Sequence, residues 1–329
     1  MLSPNYLKEI PKSITKLFEE LEDTILTDIS RRIAKAGQVT DTAQWQIDRL
    51  KAIGLTEETI RQEIAKTNLL SERQVEKLLR NAAQTSYSAE ARIYTSARKY
   101  IGNLKEHPEL QILIHAVIRQ TQGELKNLTR SLGFSQKING KNSWTNLADG
   151  YQQALDLAQL SVSTGTLDYN TAVRMAVKRL ADSGIRFVNY ESGWVNHLDV
   201  AARRAVTTGV HQMSRQMTDR LADEMGCEFF EVTAHAGARP SHREWQGQVY
   251  HRSGAKDGYA DFESSTGLGA VDGLCGANCR HSYAPFFPGI SVRAYSAEAL
   301  RNIDPPDFTY NGKIYTAYEA TQKQREMEL

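Results

Sequence analysis

From Pro11 to about Gly226, apolar residues return every three or four positions, and after that the rhythm breaks. A period near 3.6 belongs to helices that bury one stripe, so the first two-thirds of the chain is predicted to be nearly all helix. The first stripe is Ile14, Phe18, Leu21, Ile25, Ile29 and Ile33, and Gly37 follows it as a stop. Asp41 is placed to cap a short helix carrying Trp45, Ile47 and Leu50. Leu55-Thr-Glu-Glu-Thr-Ile60 recurs as Leu70-Ser-Glu-Arg-Gln-Val75, each copy with a capping hydroxyl and acidic residues behind it. Ser71 and Gln74 also have capping-box spacing, so this repeat predicts short, stepped helices.

A longer helix is predicted from Ser71 towards Tyr100, and another after Pro108 with Leu110, Leu113, Ile114, Val117 and Ile118 on one face. The polar run Gln136–Ser143 reads as a loop. Helices resume over 148–161 and 169–182, the second stopped by Gly184. The last long helix starts near Trp194 and aligns Val206, Val210, Met213, Met217, Leu221 and Met225. Core packing is the first reading of that stripe. A Met-rich face for a partner helix is the second, because Met adapts to irregular surfaces.

Behind Gly226 the pattern is different. Residues 227–233 alternate as a strand does, and 248–250 could form a second. Residues 308–316 hold Asn311-Gly312 between two strand-like runs, a hairpin signal. A terminal helix is predicted over 318–328. The expected fold class is therefore α+β: a long, mostly helical region over 1–226, followed by a small, loop-rich α+β domain over 227–329.

The charge narrows the function classes. Lys plus Arg is 40 and Asp plus Glu 39, which argues against a chain whose whole surface binds nucleic acid. There is no run of about 18 apolar residues to span a membrane, and the first residues lack the apolar core of a secretory signal. The cysteine count of three is odd and suits reduced thiols better than a disulfide framework.

Residues 235–289 carry what chemistry there is. His235, His242, His251 and His281 are four of the eight histidines, and Cys275 and Cys279 two of the three cysteines. Thiolate and imidazole are the ligands of structural zinc, which takes four in a tetrahedron and staples small, loop-rich domains. The candidate ligands are Cys275, Cys279, His281 and His242, with His235 or His251 as alternatives to His242. The competing reading is buried thiols and hydrogen-bonded histidines that fix loop geometry. A cysteine beside His281 could also form a nucleophile and base, but no acidic cluster or H-x-E pairing accompanies these residues. The segment Arg239-Pro-Ser-His242-Arg-Glu-Trp245 offers either a contact surface or a turn anchored by Trp245.

At these residues the chain resembles the phage minor capsid protein 2 family, itself similar to Mu F-like head morphogenesis proteins. The resemblance rests on His235, Arg239-Pro-Ser-His242, Trp245-Gln-Gly247, Gly273-Leu274, Asn278-Cys279-Arg280-His281-Ser282 and Pro285-Phe-Phe-Pro-Gly289. Residues 201–205 and the tail from Tyr310 to Arg325 contribute as well. His281 stands where the Mu F-like relatives tend to have a second cysteine. The resemblance implies a structural virion protein present in few copies, with no catalytic residues. It implies a place inside the head near the portal vertex, after assembly in the host cytoplasm. The implied partners are the portal protein, other head proteins and packaged DNA. The alternative from the residues themselves is a DNA-binding or metal-dependent nucleic-acid-processing protein. That alternative draws on the stepped repeat at 55–79, which has helix-turn-helix spacing, and on the His/Cys segment.

Overall fold

Stripes that must be buried, and caps that end them, account for most of the chain in the computed structural model, which describes residues 1–36, 42–138, 141–188, 195–276 and 278–328. The first helices are α1 (Pro4–Glu9), α2 (Lys12–Ala36), α3 (Thr42–Ser96) and α4 (Pro108–Leu128). A hairpin follows, β1 (Leu132–Ile138) and β2 (Lys141–Asn146), then α5 (Leu147–Ser163) and α6 (Tyr169–Ser183). Strands β3 (Ile185–Val188) and β4 (Val195–His197) lead into α7 (Leu198–Met225). Beyond it come β5 (Phe229–Val232), α8 (Pro240–Arg243), β6 (Val249–His251), α9 (Phe262–Thr266) and β7 (Tyr283–Phe286). The chain closes with α10 (Ala297–Arg301), β8 (Phe308–Tyr310), β9 (Lys313–Tyr315) and α11 (Ala317–Glu328). This is an α+β chain with a helical N-terminal region, as expected. No described helix is long and apolar enough to cross a membrane.

Local chemistry sets many of the ends. Asn146, Asp168 and Ser296 cap α5, α6 and α10 by accepting a backbone N–H three residues on, at 2.9, 3.1 and 3.0 Å. Gly184 ends α6 at φ 62°, a left-handed value that suits glycine. Thr316 and Glu319 form a reciprocal capping box at α11. Asn311 and Gly312 both have positive φ, 49° and 75°, as a two-residue hairpin turn between β8 and β9 requires.

Several expectations are corrected. The repeat at 55–79 does not step: it lies inside the single helix α3. The Ser71 hydroxyl donates to the Asn68 carbonyl at 2.9 Å within that helix, and Val75 and Leu79 are fully buried. Burial of the α3 stripe overrides local capping signals, as tertiary packing often overrides propensity. The run 136–143 is not a plain loop but spans the end of β1 and the start of β2; its polar composition hid the pairing, while residues 139 and 140 lie outside the described residues. Strands β3, β4 and β7 had no sequence signal of their own. Gly37, Asp41 and Trp194 lie outside the described residues.

The chain divides into two compact units, and the border does not fall at residue 226. One unit holds residues 11–76 and 120–206. In it the antiparallel sheet β2-β1-β3-β4 brings Phe134 opposite Thr145 and Ile185, and α5 and α6 pack against each other and against α2. The α2 stripe is buried along its whole length. The other unit holds residues 1–10, 77–119 and 207–329. Its sheet β6-β5-β7 is antiparallel, with Pro285 on the edge strand β7, where a missing N–H is tolerated.

Within that second unit, residues 207–225 of α7 belong to the core. Val210, Met213, Met217 and Leu221 are fully buried, so the Met-rich stripe is core and not a partner surface. Beside it runs a buried polar line, His211, Ser214 and Thr218. Ser214 shares a hydrogen bond with Ser86 at 3.1 Å, and Thr218 donates to the Glu90 carboxylate at 2.6 Å. Glu90 Oε2 is buried with no hydrogen-bond partner among the described residues. Desolvation lifts the Glu90 carboxyl from its ordinary 4.5 to about 7, against the opposing pull of the Met1 amine and of the Thr218 and Ser86 hydroxyls.

Two predictions follow from this core. Met217→Ala should destabilise the chain by about 2–5 kcal/mol, since it empties a filled site. Met175→Ala, at a position 56% exposed, should stay within about 0.5 kcal/mol of the parent. Equal melting temperatures for the two variants would sink the assignment of the stripe to the core. For Glu90, a raised folded pKa means stability fully present below pH 4.5 and lost as pH rises through about 7. Glu90→Gln should therefore remove that loss and melt higher than the parent at pH 8, with the gap closing near pH 4. A parent whose stability does not fall between these values would contradict the assignment.

Candidate metal centre

The sheet β6-β5-β7 sets the His/Cys segment in place. Beyond the ladder, the Thr233 N–H donates to the Ser282 carbonyl at 2.9 Å, and the Ser282 N–H donates to the Thr233 hydroxyl at 2.9 Å. This zips residue 281 alongside the segment that carries His235, and the two imidazole rings stack with centroids 4.3 Å apart. Pro240 opens α8 at its first turn, where its missing N–H is of no consequence. His242 then lies on the buried side of that short helix, against Trp245, with ring centroids 4.4 Å apart. Trp245 is buried, so the anchoring reading of 239–245 holds.

The Gly-rich stretch brings in the cysteine. It folds over itself so closely that a Cβ on Gly273 would sit 1.9 Å from the Gly267 carbonyl oxygen. Asn278, with φ 57°, turns the chain immediately before Cys279. His211 on α7 then fixes this turn from below: its Nε2 lies 2.8 Å from the Cys279 carbonyl oxygen.

Three of the expected residues meet. The ligand atoms of His242, Cys279 and His281 lie within 4.8 Å of one another, and all three residues are buried. Cys279 Sγ is 3.9 Å from His242 Nδ1 and 3.6 Å from His281 Nδ1. The His281 N–H also donates to Cys279 Sγ, at 3.4 Å. The far nitrogens are held as well. His242 Nε2 lies 2.6 Å from the Asp272 carbonyl oxygen, and His281 Nε2 lies 3.0 Å from Gln246 Oε1. Because the His235 N–H donates to that same Gln246 oxygen at 3.0 Å, this atom is the carboxamide oxygen and His281 Nε2 is the donor.

The other candidates sit elsewhere. Cys275 is half-buried, and its thiol is directed at the His281 carbonyl, 3.8 Å away, outside the three-atom cluster. His251 belongs to β6, where its Nδ1 faces the Gly254 carbonyl at 2.8 Å and its ring abuts Phe229. His235 stands at the edge of the cluster and lines a small cleft with Arg239, Arg280, Tyr318 and Gln322. Its Nδ1 lies 2.8 Å from the Ala236 carbonyl. His211 and Gln246 carry no motif of their own in the sequence. Only the spacing of His211 with Ser214 and Thr218 could have flagged the first, and nothing singled out the second.

Burial governs the electrostatics. Desolvation, reinforced by His235, His242 and Arg280, drives His281 down to about 2, and desolvation also lowers His242. Both rings are neutral. Burial pushes the Cys279 thiol up, the opposite of what an exposed nucleophile needs. A second trio, His107, Glu109 and Glu224, is partly exposed, with His107 Nδ1 3.3 and 3.9 Å from the two carboxylates.

The fold thus defines a mostly helical α+β protein whose unusual chemistry is gathered in one buried His/Cys cluster. The family model of phage minor capsid protein 2 matches residues 2–329, and the chain belongs to that family. It is a structural phage protein of the virion. No curated protein and no solved structure shows significant similarity to the chain.

Gln246 is the residue on which the cluster's geometry turns, since one oxygen holds both the His235 N–H and the His281 ring. Gln246→Leu should cost about 1–3 kcal/mol by leaving the buried His281 donor and the half-buried His235 N–H unpaired. A melting temperature unchanged from the parent would show that these hydrogen bonds do not hold the cluster.

Proposed function

We propose that this chain is a low-copy component of the phage head that joins at the portal vertex, stays inside the head and takes part in head assembly. Its partners in this reading are the portal protein and neighbouring head proteins, with packaged DNA as a further contact of an interior location. The match of the family over essentially the whole chain carries the reading. The β8–β9 hairpin adds support. It leaves Phe308, Tyr310 and Ile314 at 50–63% exposure, more apolar surface than a lone hairpin ordinarily shows to water. A neighbouring head protein would cover it. The DNA-binding alternative loses one of its two motivations, because residues 55–79 form one uninterrupted helix with no turn between two short ones, and is left with the His/Cys segment alone.

The test is quantitative mass spectrometry of DNA-free proheads and of density-purified mature particles, with affinity capture on the portal protein beside them. The chain should occur in both kinds of particle at a small fraction of the major capsid protein, and should be captured by the portal. Presence in proheads alone would make it an assembly factor that leaves. Absence from both would overturn the reading.

A further inference from the structure

Hydrogen-bond accounting leaves the buried cluster one cation short. Asp272 O and Gln246 Oε1 can only accept, so each ring donates from Nε2. A neutral imidazole that donates there presents a lone pair at Nδ1. Two such lone pairs converge on Cys279 Sγ, at 3.9 and 3.6 Å, and a thiol has one proton to give. Among the described residues one buried acceptor is left without a donor, an arrangement that native interiors avoid.

We propose that His242 Nδ1, Cys279 Sγ and His281 Nδ1 bind one zinc ion, with the fourth tetrahedral position facing the cleft lined by His235, Arg239, Arg280, Tyr318 and Gln322. The spacing supports it. Zinc–sulfur and zinc–nitrogen bonds of about 2.3 and 2.0–2.1 Å at the tetrahedral angle put sulfur and nitrogen about 3.6 Å apart. That is the separation found for His281, and within a few tenths of an ångström that found for His242. The surroundings are also those of a metal site. Both far ring nitrogens are tied to carbonyl oxygens, which fixes tautomer and ring plane. The His281 N–H donates to the sulfur, which suits a thiolate. Two nitrogens and one sulfur favour zinc over the hard cations.

The open position distinguishes this site from a closed four-ligand staple. Cys275, the nearest further thiol, turns to the His281 carbonyl. The cleft has a volume of about 30 Å³, enough for a water or a small anion. Zinc and one thiolate leave a net positive charge, and Arg239 and Arg280 line the same cleft, so an anionic fourth ligand is favoured. The inference concerns this cluster alone and stands whether or not the chain joins the portal.

The test is the zinc content of the full-length chain, purified after growth with zinc and then freed of loose metal. About one zinc per chain is expected, with loss of at least about tenfold in Cys279→Ser and in His281→Ala. Cys275→Ser should keep its zinc. Parent protein with only traces of zinc would overturn the proposal, as would full retention in Cys279→Ser or loss in Cys275→Ser. Should the ligand variants fail to fold, cobalt exchanged into the parent decides. It should give the intense visible bands of tetrahedral coordination and a thiolate charge-transfer band. Azide should shift the visible bands. A cobalt spectrum without the thiolate band would refute the ligand set, and bands that ignore azide would refute the open position.

Discussion

Residues 207–225 of α7 are buried on two faces, and the second compact unit is arranged around what that burial demands. An apolar stripe can be covered by any well-packed neighbour. A polar line cannot, because each buried hydroxyl or imidazole left unpaired costs about as much as a hydrogen bond is worth. The line His211, Ser214 and Thr218 therefore dictates partners. Ser86 and Glu90 meet its hydroxyls from α3, and the Cys279 carbonyl lies against His211. These contacts join sequence positions more than a hundred residues apart, and 68 apart for His211 and Cys279. The turn that carries Cys279 is thus held by the helix through the His211 contact.

That order of dependence explains why the cluster is so tightly specified. The strand pairing of β5 and β7 sets His281 against His235, α8 delivers His242, and the Gly-rich stretch closes over itself to deliver the thiol. Each element contributes one donor atom. None of the three can shift without breaking a hydrogen bond at its far end, to Asp272, Gln246 or His211. Convergence of this kind is costly for side chains that serve only as packing. Apolar residues would fill the same volume without desolvating three polar atoms.

How much of this the sequence displayed depends on range. Elements ruled by local pattern were legible: the α2 stripe from Ile14 to Ile33, the stop at Gly184, and the Asn311-Gly312 turn all depend on residues within one or two turns of themselves. The repeat at 55–79 misled because caps at Thr56 and Ser71 are also tolerated inside a helix whose other face is buried. The sheet β2-β1-β3-β4 was hidden because β1 pairs with β3 across α5 and α6, and β3 and β4, of four and three residues, are too short to show an alternation. In the cluster, the crowding of His and Cys pointed to the right segment. It did not separate Cys275 from Cys279, since four residues of a glycine-rich turn can present either thiol. The separation is made by φ 57° at Asn278 and by the His211 hydrogen bond, and neither leaves a mark in spacing.

The position of the cluster also bears on what a structural virion protein needs. Loops between the short strands β5, β6 and β7 bury little apolar surface of their own, and 233–282 contains long irregular stretches. Such stretches hold one conformation only if something ties their ends together. Here the three donor atoms fall on α8, soon after the chain leaves β5, and at residues 279 and 281, just before it enters β7. An apolar contact at one of these points would leave the others to fluctuate. The proposed zinc would draw donors from both ends of this segment and tie them together, with one side facing a cleft. A protein that must dock against a neighbour gains from loops that are rigid before the encounter, because the ordering cost is then not charged to binding.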